Sequence, residues 1–380
     1  MPQVEAVVEC PVYDSFRVQQ VAGLFDVQLP ETSRESFPVE VPALDDSWTI
    51  GAIVGPSGSG KSTVARHVYS DDVYSEFAWP DDKAVVDCFG ELPIKRITHM
   101  LTAVGFSSPP SWIKPYAVLS GGEKFRCDLA RALLLGAGGE PPETPPDDAQ
   151  SSAGAPLVVF DEFTSVVDRT VARIGSAAVA KAIRSGRVAR RFVAVTCHYD
   201  ILEWLEPDWT LDMARMRLER RRLRRPRIEL RLFRCRGRAW QLFKRHHYLS
   251  AALNPAAHCY VAMYDGAPVA FCAVLSLMGR KGRRRISRIV VLPDYQGVGI
   301  GARVLDAVAE LYRRRGERMN IVTSHPSMIA GLVRSPRWRL VACKPTGYTR
   351  DRLTPANYRR SCSLGRSVVS FEYVGGAVEA

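Results

Sequence analysis

The chain has 380 residues, 46% of them hydrophobic and 24% charged, with a formal net charge of +12. That composition is that of a globular protein of about two domains. No run of about 18 apolar residues occurs, the N-terminal MPQVEAVVECPVYDSF lacks the basic and apolar parts of a secretion signal, and the nine cysteines include no CxxC pair, so the expectation is a cytoplasmic chain with reduced thiols, no zinc site and no membrane partner.

Residues 1–50 alternate between apolar and polar positions with proline breaks, as in Phe37-Pro38-Val39-Glu40-Val41, which predicts short antiparallel strands. Trp48 to Val54 is a β-branched run that enters a glycine-rich turn, with a helix predicted from Thr63 to Ser70. Lys83 to Val86 reads as a short strand. Helical periodicity covers Pro93 to Val104 and Glu123 to Leu135. Residues 136–156, rich in proline and glycine, cannot bury enough surface to order themselves and read as a disordered insertion. Leu157–Phe160 and Phe192–Val195 are continuous apolar runs, as in buried parallel strands.

Between Arg215 and Arg238 stand twelve arginines and two glutamates, so ten of the twelve net positive charges lie in this segment. It suits a polyanion such as nucleic acid, the phosphates of CoA or an acidic partner; it could equally be a solvated connector. Ile228–Phe233 then alternates like a strand, and Ala239–Leu249 reads as a helix in which aromatic and basic side chains interleave. His258–Tyr264 and Ala267–Leu277 flank Asp265-Gly266, a hairpin signal. A strand is expected at Ile286–Leu292, a helix at Ala302–Arg315 with Val304, Leu305, Val308, Leu311 and Tyr312 on one face, and a strand at Met319–Thr323.

Two motifs on this frame handle anions. Gly55-Pro56-Ser57-Gly58-Ser59-Gly60-Lys61-Ser62-Thr63 is a P-loop: its glycines let backbone N–H groups cradle phosphates, Lys61 reaches the β- and γ-phosphates, and the Ser62 hydroxyl can ligate Mg²⁺. Asp161 and Glu162 end the apolar run Leu157–Phe160, where Asp161 can bind Mg²⁺ and Glu162 can polarise the attacking water. Ser120-Gly121-Gly122-Glu123 opens a helix and can bind an anion, and His198 follows a strand, where its imidazole can reach a γ-phosphate.

P-loop, LSGGE, FDE and histidine, in that order over roughly residues 15–215, resemble the ATP-binding cassette (ABC) ATPase family. The resemblance implies an ATP-dependent homodimer in which ATP lies between the P-loop of one copy and Ser120 of another, with Ser165-Val166-Val167-Asp168 crossing the interface. It also implies an aromatic stacked on adenine: Phe25 is the candidate and Phe37 the rival. The family carries a glutamine between these motifs. None stands between Lys61 and Ser120, where Asp87 is the alternative, and that departure argues against transport.

Gln296-Gly297-Val298-Gly299-Ile300-Gly301, after Val290-Val291-Leu292 and before an amphipathic helix, resembles the pyrophosphate-binding turn of the GNAT acetyltransferase family over roughly residues 228–345. The resemblance implies acetyl-CoA or another acyl-CoA as cofactor, its diphosphate on this turn, its thioester between two splayed strands, and its acyl carbonyl polarised by amides near Val290–Leu292. The family does not fix the general acid and base. His325 and Tyr248 are the candidates, with His246, His247, Tyr348 and Tyr358 behind them; Ser287 and Arg288 could orient a substrate.

The expected fold class is therefore α/β: an ABC-type P-loop NTPase domain at 1–215, an arginine-rich connector at 216–227, a GNAT-like mixed α/β domain at 228–360 and a C-terminal strand or tail at 361–380. The function expected is an ABC-type ATPase coupled to a CoA-dependent N-acyltransferase, with nucleic acid as a possible partner through Arg215–Arg238. Two alternatives stay open: a mechanochemical ATPase on nucleic acid with a degenerate acyltransferase domain as binding module, and a transport ATPase subunit.

Overall fold

The computed structural model describes residues 3–30, 32–43, 47–74, 78–136, 155–247, 252–277, 279, 281–345 and 367–375. In chain order these form β1 (Gln3–Pro11), α1 (Phe16–Phe25), β2 (Thr32–Glu40), β3 (Ile50–Val54), α2 (Lys61–Tyr69), β4 (Val73–Tyr74), α3 (Ile94–Ala103), α4 (Pro109–Trp112), α5 (Gly121–Leu135), β5 (Leu157–Phe160), α6 (Arg169–Arg184), β6 (Arg191–Thr196), α7 (Leu202–Leu205), β7 (Trp209–Asp212) and β8 (Arg217–Glu219). There follow β9 (Arg231–Cys235), β10 (His258–Tyr264), β11 (Ala267–Ser276), β12 (Arg283–Val291), α8 (Ile300–Arg313), β13 (Arg318–Thr323), α9 (Pro326–Arg334), β14 (Trp338–Pro345) and β15 (Ser367–Tyr373). The chain divides into two units, each assembled from separate stretches: Met1–Pro80, Cys88–Leu92 and Ser120–Pro226 in the first, Asp81–Asp87, Pro93–Leu119 and Arg227–Ala380 in the second.

The first unit is built on a six-stranded sheet in the order β4-β5-β6-β3-β7-β8, parallel except for β8. Central strand β3 reads IGAIV and is buried at all five positions, which is why its sequence is a continuous apolar run. A Cβ on Gly51 would lie 2.1 Å from the Trp209 ring, so only glycine fits there. Asp208 pins the start of β3: it accepts from the N–H groups of Thr49 (2.9 Å) and Ile50 (3.1 Å) and pairs with Arg184 at 2.9 Å. Burial works against the ionised form, but those N–H groups and the guanidinium outweigh it and hold the carboxyl below its ordinary range.

β1 and β2 pair antiparallel from Gln3↔Glu40 to Pro11↔Thr32, as the alternation predicts. Between them lies α1, which the alternation does not predict. Ser15 caps it, accepting from Val18 N–H at 3.3 Å, and Ala22 is its one buried residue, so its apolar positions show no core-facing stripe to read. Lys83–Val86 is not a strand. Asp81 and Asp82 favour a turn, Val85–Asp87 is a 3₁₀ turn, and the Val85 N–H donates to Lys114 rather than to a ladder.

The second unit holds a seven-stranded sheet in the order β14-β15-β13-β12-β11-β10-β9. Only β12 and β13 run parallel, paired from Arg283↔Arg318 to Ile286↔Ile321; β15, last in sequence, lies between β13 and β14. Asp265 (φ 48°) and Gly266 (φ 75°) close the β10–β11 hairpin with the two positive φ values of a type I′ turn. α8 buries Val304, Leu305, Val308 and Tyr312 against one face, with Ala262, Cys272, Ile286 and Ile321, while Trp240, Phe243, Phe271 and Val290 fill the other.

Here two expectations shift. β9 begins at Arg231, not Ile228, because Arg231 is the residue opposite Met263 at the end of β10; Ile228 and Leu230 still pack on the sheet. Within Ala239–Leu249 the described residues form two 3₁₀ turns, Gly237–Leu242 and Lys244–His246, rather than one α-helix. The three-residue spacing of buried Trp240 and Phe243 fits the 3₁₀ repeat. Residues 137–154, 248–251, 346–366 and 376–380 lie outside the described residues, and with them most of the expected insertion.

Candidate functional site

β3 leads into Gly55–Gly60, and α2 starts at Lys61. Gly58 (φ 78°) and Gly60 (φ 80°) adopt the left-handed conformation that turns successive N–H groups inward. Lys61 is buried, and its Nζ donates to the Pro56 carbonyl at 2.7 Å, which folds the ammonium over the turn. Thr63 is half-buried in the first turn of α2. The Gly55 site is tight: a Cβ there would lie 2.6 Å from Ser59 Oγ.

Ser62 Oγ donates to Asp161 Oδ1 at 2.9 Å, so the two oxygen ligands expected for Mg²⁺ meet across α2 and the end of β5. Hard oxygen donors beside a phosphate cradle fit that ion. Asp161 is buried and also lies 3.5 Å from Arg66. Glu162 is exposed at φ 52° and accepts from Ser165 Oγ at 2.5 Å. Thr164, at φ 70°, places its hydroxyl 3.1 Å from His198 Nδ1. Burial, then the Arg169 guanidinium, push the His198 imidazole below its ordinary value, which favours the neutral ring. Two strained non-glycine residues within three positions mark this loop as one held in place by its surroundings.

Ser120 caps α5 in a capping box: its Oγ accepts from Glu123 N–H at 3.4 Å, and the Glu123 carboxylate accepts from Ser120 N–H at 3.0 Å. Gly121 lies near the Val166 carbonyl, and Gly122 lies against the Val171 side chain. The start of α5 and the Ser165–Asp168 loop are thus neighbours in one copy. Asp168 caps α6 through the N–H groups of Thr170 and Val171. Of the two adenine candidates, Phe37 packs its ring on the P-loop, 2.5 Å from where a Cβ on Gly60 would stand; Phe25 ends α1 and is 74% exposed.

The second turn repeats the strand–turn–helix plan. β12 ends at Val291, Gly297 has φ 90°, and Gly299 (φ 102°) caps α8. A Cβ on Gly301 would lie 3.3 Å from Val291, so the first turn of the helix sits close on the strand. Backbone N–H groups and the positive end of a 14-residue helix suit a diphosphate without any charged side chain.

β12 carries a bulge at Ser287, where the pairing with β11 steps from Arg288↔Ala273 to Ile286↔Val274. At the same level its pairing with β13 ends, so the two strands splay beyond Ile286 and Ile321. The Leu292 N–H, an expected contact of the acyl carbonyl, instead donates to Val269 O on β11 at 2.9 Å. Backbone groups alternate sides along a strand, so the Val291 N–H and C=O face away from β11, toward the opening. The Gln296 side chain is engaged as well, donating to Val291 O at 2.9 Å and accepting from Ser107 N–H at 2.8 Å.

His325 caps α9 at the end of β13; burial pushes its imidazole down, and a hydrogen bond with the Ser107 backbone opposes that shift. Ser287 and Arg288 are held by protein carbonyls, Ser287 by Ala273 and Arg288 by its neighbour Ser287 and by Ala252. His247 stacks edgewise on Trp240, with centroids 5.5 Å apart. Tyr248, Tyr348 and Tyr358 lie outside the described residues. A partly buried polar cluster, His258 Nδ1 at 2.8 Å from Tyr312 Oη with Tyr260 Oη donating at 3.0 Å, has no local sequence signal because Tyr312 lies about fifty residues from the other two. Among the described residues there is no disulfide, no cluster of three His, Cys, Asp or Glu able to hold a metal, and no helix long and apolar enough to cross a membrane.

Residues 198–330 match the family model described as the acetyltransferase (GNAT) family. No curated protein matches the chain in sequence. Among solved structures, the IAA acetyltransferase from Bacillus cereus ATCC 14579 is 17% identical and covers 38% of this chain and 99% of its own, with a TM-score of 0.30. The ribosomal-protein-S18-alanine N-acetyltransferase from Escherichia coli is 15% identical over 40% of this chain and 97% of its own, at 0.30. A dimeric ATP-binding cassette in a post-hydrolysis state with ADP and Pi is 16% identical over 51% of this chain and 94% of its own, at 0.35. Within a mixed α/β chain, the acetyltransferase (GNAT) family model therefore spans residues 198–330, about a third of the sequence.

Proposed function

We propose that the chain is an ATP-binding and ATP-hydrolysing protein coupled to a CoA-dependent N-acyltransferase. What carries the reading is the recurrence of one device, a strand, a turn with positive-φ glycines and a helix N-terminus, beside two different sets of partners. At the first turn Lys61 and the loop amides hold the phosphates, and Ser62 and Asp161 are the ligands for Mg²⁺, which when bound neutralises phosphate charge. Glu162 orients the attacking water and accepts its proton, and neutral His198 hydrogen-bonds the phosphate. Ser120 acts on nucleotide held by a second copy, which makes the working form an ATP-dependent dimer.

At the second turn Gly297 and Gly299 hold the diphosphate of an acyl-CoA. The Val291 N–H polarises the acyl carbonyl in the gap between β12 and β13, and His325 or Tyr248 handles the proton of an amine acceptor. The arginines of 215–238, all exposed except half-buried Arg225, form a polyanion-binding stretch, and nucleic acid is the partner we assign to it.

Thiol release from acetyl-CoA, measured on the full chain with amine acceptors and with or without ATP and DNA or RNA, tests the whole reading. ATP-sensitive turnover is the expected result. No acetyl-CoA binding by calorimetry would overturn the transferase half, and no phosphate release from ATP the other half.

A further inference from the structure

Gln296 ties the second turn to a distant part of the chain. Its carboxamide accepts from Ser107 N–H at 2.8 Å, 189 residues earlier in sequence, and donates to Val291 O at 2.9 Å. An amide can do both at once; a carboxylate or an ammonium cannot. Val291 in turn carries the N–H that faces the opening between β12 and β13. The Ser107 backbone also hydrogen-bonds His325. One residue thus touches the turn and the candidate base together.

Ser107 is itself firmly held. Gly105 (φ 87°), two residues past the end of α3, closes the helix, with Phe106 N–H donating back to Leu101 O at 2.7 Å. The Phe106 carbonyl accepts from the Trp112 indole at 2.9 Å, and Phe106, Ser108 and Trp112 are buried. α3 also packs on α9, which His325 caps. Pro93–Leu119, the segment that presents Ser107, belongs to the second unit. In sequence it lies between the P-loop and Ser120, and it ends at the residue before Ser120.

We propose that Ser107 is a positioning residue for the acyl-CoA turn, and that through its hydrogen bond to Gln296 nucleotide binding alters CoA affinity. The proposal rests on the reading that both ligands bind. A displacement of Ser120 on nucleotide binding pulls on the segment that holds Ser107, and hence on Gln296 and Val291. Coupling of this kind is reciprocal: CoA must change ATP affinity by the same factor.

The test is calorimetry on the full chain, titrating acetyl-CoA with and without a non-hydrolysable ATP analogue and Mg²⁺, then the reverse. A change in Kd of about fivefold or more, equal in both directions, is expected. Gln296→Met keeps the length and loses both bonds, so the coupling factor should fall to about one. Ser107→Pro deletes the donor N–H and should do the same, while Ser107→Ala retains the N–H and should retain the coupling. If Ser107→Pro does not fold, by circular dichroism, the Gln296→Met result decides. Wild-type protein that binds both ligands with unchanged Kd values, or Gln296→Met with wild-type coupling, overturns the inference and leaves the functional reading standing. Absence of CoA binding overturns both.

Discussion

The P-loop and the Gln296 turn share a strand–turn–helix plan and differ in the neighbouring strands and in the side chains beside the turn. Each follows a strand, and each has a positive-φ glycine at the helix cap, Gly60 at 80° and Gly299 at 102°. Each leading strand is pinned near its start by an arginine–carboxylate pair, Arg184–Asp208 for β3 and Arg284–Glu317 for β12. But β3 has a parallel neighbour on both sides, whereas β12 loses β13 beyond Ile286. The first turn is furnished with buried Lys61, Asp161 and a hydroxyl; the second with a neutral amide and an open gap. The same glycine turn is thus set among two different groups of strands and side chains.

The largest effect is expected at Glu162, which follows β5 beside the first turn. Glu162→Gln should lose about a thousandfold in ATP hydrolysis, measured as phosphate release, while still binding ATP. Near-normal turnover would sink the assignment. In the same background, added ATP should raise the sedimenting mass to that of a dimer, and Ser120→Arg should abolish that rise; a dimer that persists would refute the head-to-tail sandwich.

Charge without a cradle offers the next contrast. The arginine-rich segment should bind duplex DNA with a steep salt slope, each neutralised phosphate contributing roughly −0.9, so that about four contacts weaken binding more than a hundredfold between about 50 and 200 mM salt. Replacing Arg220, Arg221, Arg222, Arg224 and Arg225 by Ser should flatten the slope in filter binding and leave ATPase activity intact. An unchanged slope would leave these arginines as solvating or bracing groups.

On the side of the second turn, Gly299→Asp forces a side chain into φ 102° and sets a carboxylate before a diphosphate. Acetyl-CoA binding should weaken about a hundredfold by calorimetry, from strain of about 1–3 kcal/mol plus repulsion. Undiminished binding would show that the turn is not the cradle.

The smallest effect concerns the pinning of β3. Asp208→Asn should cost about 2 kcal/mol in urea unfolding, since it weakens charge-assisted bonds to Thr49, Ile50 and Arg184. The Asp208 carboxyl lies below its ordinary value in the folded chain, so its contribution is present above about pH 4 and fades as pH falls through the folded value. A wild-type and mutant difference that persists unchanged at pH 2 would contradict the pairing.

What was legible in the sequence was local. Glycine spacing marked both turns, Asp265-Gly266 marked the hairpin, and the 3.6-residue stripe from Val304 to Tyr312 marked α8, because each signal lies within a few residues of the structure it specifies. The Ser287 bulge, the commitment of the Leu292 N–H to β11 and the bond from Ser107 to Gln296 depend on what a distant strand or loop offers across the gap. No spacing encodes them. α1 leaves no mark in the sequence for the opposite reason: it buries too little to impose a pattern.

The division of the chain into interleaved units has a consequence for its synthesis. Ser107 leaves the ribosome 189 residues before Gln296, roughly ten to forty seconds at about 5–20 residues per second. Through that interval Pro93–Leu119 waits for the sheet it belongs to, with apolar groups such as Phe106 and Trp112 lacking part of their final surroundings. The same interleaving means that no single cut yields either unit whole. A fragment beginning at the arginine-rich segment would keep the entire seven-stranded sheet and still lack the backbone that steadies Gln296.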